Sequence, residues 1–145
     1  MTTPASPRAD LLSEMLLELI EILRDRQGDT WAAIARIAAG KSATIAIDGT
    51  RIYVQVEGEQ DLQITISDAE PDAINDFEGN SRALRNVMFG KSTLEKSVAS
   101  GKIFIRASFG DLLKIRAVVN SVLAETDLEP RLLNLWHRFD REWEK

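Results

Sequence analysis

The sequence predicts an α+β fold in which a mostly antiparallel sheet is covered by helices. Three observations carry that reading. Apolar residues recur at helical spacing up to Gly40, the period drops to two from Ala43, and helical spacing returns near Arg82. Asp48-Gly49 stands between two alternating runs, where a two-residue hairpin turn belongs. The runs come as helices, three strands, helices, one strand and helices; grouped strands of this kind separate α+β from the strict alternation of an α/β chain.

Taken in order, Ser6-Pro7 reads as the cap and first residue of a helix to about Gln27, with Leu12, Met15, Leu16, Leu19, Ile20 and Leu23 on its inner stripe. Its other face carries Glu14, Glu18, Glu21 and Asp25, which repel one another weakly and belong in water. A second helix follows, capped by Asp29, ended by Gly40, with Trp31, Ile34, Ile37 and Ala38 inward. Ala43, Ile45 and Ile47 then alternate, as do Ile52, Val54 and Val56 after the turn. A two-residue loop pairs 47 with 50, 45 with 52 and 43 with 54, so every apolar residue falls on one face. Leu62, Ile64 and Ile66 form a third strand. Sharing the face of Val54 and Val56 requires an odd number of loop residues, and Gly58-Glu59-Gln60 supplies three.

Asp68 to Gly79 is acidic, contains Pro71, and reads as a loop with one helical turn around Ala73 to Phe77. Short helices fit Arg82 to Phe89 and Thr93 to Ser100. A fourth strand fits Lys102 to Ala107, with Phe104 implying partial cover of the second face. Ser108 and Asp111 form a capping pair for a helix to about Ala124, with Leu112, Ile115, Val119, Val122 and Leu123 inward. Thr126 to Glu129 is a linker, and Pro130 opens a last helix striped by Leu132, Trp136, Phe139 and Trp143. The stripe is expected to pack on its own chain's core, with a pocket lid or a subunit contact as alternatives.

At 145 residues the chain fits a single domain, 1–145, comprising N-terminal helices (1–40), a strand-rich core (43–124) and a C-terminal helix (130–145). Area scaling at this size buries about two thirds of the unfolded surface. The absence of cysteine and the single histidine, His137, exclude disulfides, thiolate or multi-histidine metal sites and cysteine nucleophiles. The apolar stretch after Met1 to Ala9 is broken by Glu14, Glu18 and Glu21. It is neither a signal peptide nor a membrane span, and a cytoplasmic protein with no integral membrane association is expected. Net charge is -5, which argues against general nucleic-acid binding, yet residues 80 to 124 hold eight bases and two acids. That segment suits an anionic ligand or a membrane surface, or is simply a solvated face.

Gly40-Lys41-Ser42 and Gly90-Lys91-Ser92 look like the ends of phosphate-binding loops, but the glycine required five residues earlier is Ala35 or Arg85. Helix termination explains both better. No Gly-x-Ser-x-Gly elbow accompanies His137, and Asp68 to Glu78 lacks the spacing of a calcium loop. No metal or cofactor is nominated, and no acid, base or nucleophile has an identifiable partner.

Ile64-Thr65-Ile66-Ser67-Asp68, Phe89-Gly90-Lys91, Ser100-Gly101-Lys102-Ile103-Phe104-Ile105 and Gly110-Asp111-Leu112-Leu113 occur in an order that resembles the sterol carrier protein type 2 family. The resemblance runs from Leu62 to Leu123, or 43–124 with the hairpin. It departs where the strand is followed by Ala107-Ser108 instead of glycine, and the terminal helices lie outside it. It implies a five-stranded sheet whose covering helices enclose a hydrophobic tunnel for sterols, fatty acids or acyl chains; four of those strands are identified above.

The expected function is non-enzymatic carriage of such an apolar ligand, lined by Val87, Met88, Phe89, Ile103, Leu112 and Ile115, with Arg82, Arg85, Lys91, Lys102 and Arg106 around the mouth. The alternatives are a ligand-free interaction module that forms a homodimer, with those residues as ordinary core, and an accessory domain of a lipid-related enzyme. Because Thr126 to Glu129 reads as a linker and the resemblance stops near Leu123, the last helix is expected to stabilise the domain without defining it, so that a chain ending at Glu125 folds but exposes apolar surface.

Overall fold

The computed structural model describes residues 7–58 and 61–143, so the proposed cap Ser6 lies outside the described residues. It opens with α1 (Pro7–Arg26) and α2 (Asp29–Ala38), followed by β1 (Ser42–Ile47), β2 (Thr50–Glu57), β3 (Gln63–Asp68) and β4 (Phe77–Gly79). Two short helices, α3 (Ser81–Met88) and α4 (Leu94–Ala99), precede β5 (Ile103–Ile105). The order closes with α5 (Phe109–Thr126) and α6 (Pro130–Glu142). The architecture is α+β, with a five-stranded mixed sheet of order β3-β2-β1-β4-β5.

The hairpin has the register that alternation demands: Ile47 faces Thr50, Ile45 faces Ile52 and Ala43 faces Val54. Asp48 (φ 51°) and Gly49 (φ 81°) both adopt the left-handed region, the backbone of a type I′ turn. The β2–β3 connection is odd, as parity requires, but it is five residues long, 58–62, because Glu57 pairs with Gln63. A Cβ at Gly58 would stand 2.5 Å from the Asp61 carbonyl oxygen, so the chain folds back too closely there for any side chain. Leu62 lies in that connection, and Glu59 and Gln60 lie outside the described residues.

The segment expected as a loop with a helical turn contains the fifth strand. β4 runs parallel to β1, pairing Ile45 with Phe77, and antiparallel to β5. Three residues are too few to show alternation, and anchoring by side chains replaces it. Asp76 donates its backbone N–H to the Thr44 carbonyl at 2.8 Å, while its carboxylate accepts from the Thr44 N–H at 2.8 Å. The preceding connection is held by Arg51, whose guanidinium donates to Asn75 Oδ1 at 3.0 Å and to the carbonyls of Glu70, Pro71 and Ala73. Thr44 and Ala46, on this outer face, are buried. Phe104 is 44% exposed, so at β5 the cover of this face is partial.

The inner face carries the main core. Ile47, Ile52, Val54 and Val56 join Leu12, Met15, Ile22 and Leu23 of α1, Trp31 of α2, and Leu132, Leu135, Trp136 and Phe139 of α6 with the adjoining Trp143. The α6 stripe therefore packs on its own chain, and α6 is core. Ala83, Val87, Leu94 and Ile103 form a second cluster under α3, α4 and β5.

Two local expectations change. α2 begins after Gly28, with no side-chain cap bond, because Asp29 occupies its first turn. The acidic face of α1 is not wholly in water either: Arg138 reaches Glu14 at 3.0 Å and Glu18 at 3.2 Å, and Arg131 reaches Asp25 at 3.0 Å. These pairs fix α6 antiparallel to α1, although at exposed positions each contributes only about 0–1 kcal/mol.

Candidate functional site: an apolar cavity under the fifth helix

Strand pairing aligns Ile52, Ile45, Phe77 and Ile105 as one row across the inner face, with Val54 beside Ala43 and Val56 beside Ile64 in the rows next to it. Between this surface and the helices lies a cavity of about 450 Å³. Leu16 and Ile20 of α1 close one side, Ile34, Ile37 and Ala38 of α2 another, and Ile115 of α5 contributes the roof. That volume lies within the roughly 300–1,000 Å³ typical of small-molecule sites.

The space stays open because α5 stands away from the sheet. None of its residues is buried, and its principal contacts are with α2, α4 and α6. Leu112, Ile115, Val119, Val122 and Leu123 face inward as the periodicity requires but remain only half-buried.

Fifteen of the twenty lining residues are apolar, and the other five are Lys41, Ser42, Asp76, Arg106 and Asp111. All five polar residues occupy one end, at the starts of β1, β4 and α5 and just past β5. A cavity that is apolar along its length and polar at one end matches an amphiphile in outline. Asp76 is committed to Thr44 and lies 3.9 Å from Arg106, whereas the Lys41 ammonium makes no hydrogen bond or ion pair among the described residues. Two bases and two acids balance at this mouth, so its net charge does not select an anionic head group.

Of the six residues expected to line a pocket, the cavity includes Ile115. Val87 and Ile103 are buried in the second cluster, Leu112 is half-buried on α5, and Met88 and Phe89 pack against the main core. The lining residues missed by sequence lie on α1, α2 and the strands. Their apolar faces were legible, but which of them meet empty space depends on the height of α5. The expected ring of cations also divides. Arg106 lies at the mouth, while Arg82, Arg85 and Lys91 border a separate polar depression with Asn86, Phe89, His137 and Asp140. His137 is exposed, and its ring lies 5.3 Å from that of Phe89.

The two Gly-Lys-Ser segments follow α2 and α3, where the N–H groups of Lys41 and Lys91 bond back to the carbonyls of Ala38 and Asn86, as helix ends do. No cluster of three metal-ligating side chains occurs among the described residues, and no helix among them is long and apolar enough to cross a membrane. No protein-family model, curated protein or solved structure matches the chain.

Proposed function

We propose that the protein is a non-enzymatic carrier of an apolar ligand, a fatty acid, sterol or other lipid, of the sterol carrier type 2 kind. The cavity carries this reading: about 450 Å³, apolar except at one end, under a helix with no buried residue. Burial of an acyl chain gains about 25 cal/mol per Å² of apolar surface, so an open apolar site fills readily from abundant lipids. A five-stranded sheet with helices on its inner face adds support, since the resemblance implies that architecture.

Native mass spectrometry of freshly purified protein, with extraction of bound species, tests the proposal. A co-purifying lipid is expected, as is micromolar binding of a fluorescent fatty acid that Ala43→Trp abolishes by filling the cavity. Repeating the titration at high salt reads the part played by Lys41 and Arg106. If no lipid co-purifies and no probe binds, the carrier reading fails and a ligand-free interaction module takes its place.

A further inference from the structure

We infer that the first turns of α5 form a docking surface for an anionic lipid bilayer, beside the mouth of the cavity. Phe109 is 77% exposed and Leu113 is 43% exposed. Spaced by four on the helix, they share one face. Asp111 and Ile115 of the same turns line the cavity, so the apolar ridge and the polar mouth belong to one short stretch of chain. A large aromatic at three-quarters exposure on the first turn of a helix has no role in this chain's own core.

Charge identifies the occupant. Residues 106–116 hold Arg106, Lys114 and Arg116 against the single acid Asp111, although the whole chain carries -5. All three cations are exposed. Arg116 and Arg106 have only long ion pairs, at 4.0 Å to Glu95 and 3.9 Å to Asp76, while Lys114 has none among the described residues. An apolar wedge with exposed cations before and after it on the same short stretch of chain matches a bilayer with an anionic surface: the ring side chain enters the interface and each base near the surface gains from its potential. A second copy of this chain fits less well, because two such faces would oppose like charges.

This inference rests on the carrier reading for its purpose, since docking would present the mouth to the membrane, but its test is separate. Vesicles of phosphatidylcholine with phosphatidylserine, and of phosphatidylcholine alone, are sedimented with the full chain at low and high salt. Binding is expected only to the anionic vesicles and is expected to weaken with salt. Phe109→Ser is expected to lower the partition coefficient about tenfold by removing the wedge, and Lys114→Glu to lower it several-fold at low salt. Both positions are exposed, so circular dichroism should be unchanged. A fluorescent fatty acid titrated without vesicles reports the cavity independently. Phe109→Ser that binds the probe normally but has lost the vesicles supports docking, and wild-type protein that sediments with vesicles yet takes up no probe sinks the carrier reading alone. Docking is overturned by absence of binding to anionic vesicles at low salt, by equal binding of wild type and Phe109→Ser, or by a dimer that Phe109→Ser converts to monomer.

Discussion

The indole N–H of Trp143 donates to the Asp48 carboxylate at 2.8 Å, joining the end of α6 to the β1–β2 turn. Trp143 is fully buried, and the other Asp48 oxygen accepts the Ser81 backbone N–H at 3.0 Å, at the start of α3. One turn residue therefore ties together three elements distant in sequence. Asp48 also holds a left-handed backbone, which aspartate tolerates better than most residues.

Asp48→Ala is expected to destabilise by about 3 kcal/mol. Leaving the buried indole donor unpaired costs roughly 1–3 kcal/mol, and the left-handed conformation costs alanine about 1–2 kcal/mol. Asp48→Asn tolerates the backbone but offers one acceptor oxygen to the two N–H donors of Trp143 and Ser81, so its loss should be smaller, about 1–2 kcal/mol. Urea denaturation separates the two; equal losses would show that the carboxylate itself is required and that the backbone adds no penalty for alanine.

The same carboxylate sets an acid dependence. Burial pushes its pKa up, but hydrogen bonds from Ser81 and Trp143, with Arg8 nearby, outweigh burial and hold it below the usual aspartate value. Glu129, bonded by Arg131 through side chain and backbone, is held down to about 2. Folded-state pKa values below the unfolded ones contribute stability that is complete above the unfolded pKa and lost as pH falls through the folded one. Stability should be level above about pH 5 and decline below about pH 4, with a shallower decline in Asp48→Asn. A decline that begins near pH 6 would point to other groups.

Gly49→Val places a β-branched residue at φ 81°, although a Cβ there would meet nothing within 4 Å. The cost is backbone strain rather than a clash, about 1–2 kcal/mol or more, which lowers Tm by about 3–7 °C at this chain length. Gly49→Asn should lose much less. A melt of Gly49→Val that matches wild type would contradict the turn assignment.

A chain shortened to end at Glu125 is expected not to fold, contrary to what the linker at Thr126 to Glu129 and the sequence resemblance suggested. It would lose Leu132, Leu135, Trp136, Phe139 and Trp143, each at most 5% exposed and all in the main core. Large-to-small changes at such sites cost about 2–5 kcal/mol each, and five together, about 10–25 kcal/mol, match or exceed the roughly 5–15 kcal/mol stability of a typical domain. Circular dichroism of the shortened chain decides; a cooperative melt would show that the remaining elements suffice.

What the sequence made legible follows from how local each signal is. The hairpin register was readable because Asp48-Gly49 and the alternation of Ala43, Ile45, Ile47, Ile52, Val54 and Val56 constrain each other. β4 was not, because Phe77–Gly79 is too short for a period and is placed by Asp76 and Thr44, residues 32 apart. The cavity was hardest. A half-buried Ile115 and a fully buried Leu132 look alike in a hydrophobic pattern, and only the contacts of α5 with other helices show which one borders open space.

The way α5 is held predicts uneven stability along it. Its C-terminal half is tied down: the Ser121 hydroxyl bonds to Thr30, Glu125 pairs with Arg26 at 3.3 Å, and Thr126 accepts from the Trp136 indole at 3.1 Å. Over the N-terminal half Ile115 packs against the second cluster, and the tertiary ion pair among the described residues is the 4.0 Å one between Arg116 and Glu95, both about half exposed. Local opening requires breaking few contacts at that end. Amides of residues 113–117 should therefore exchange at least about tenfold faster than those of residues 121–126, a difference of about 1.4 kcal/mol in opening free energy. Adding a fatty acid should slow the fast group selectively, because a chain in the cavity supports Ile115 from below. Uniform exchange along the helix, unchanged by ligand, would mean that α5 is a rigid roof and that the ligand enters elsewhere.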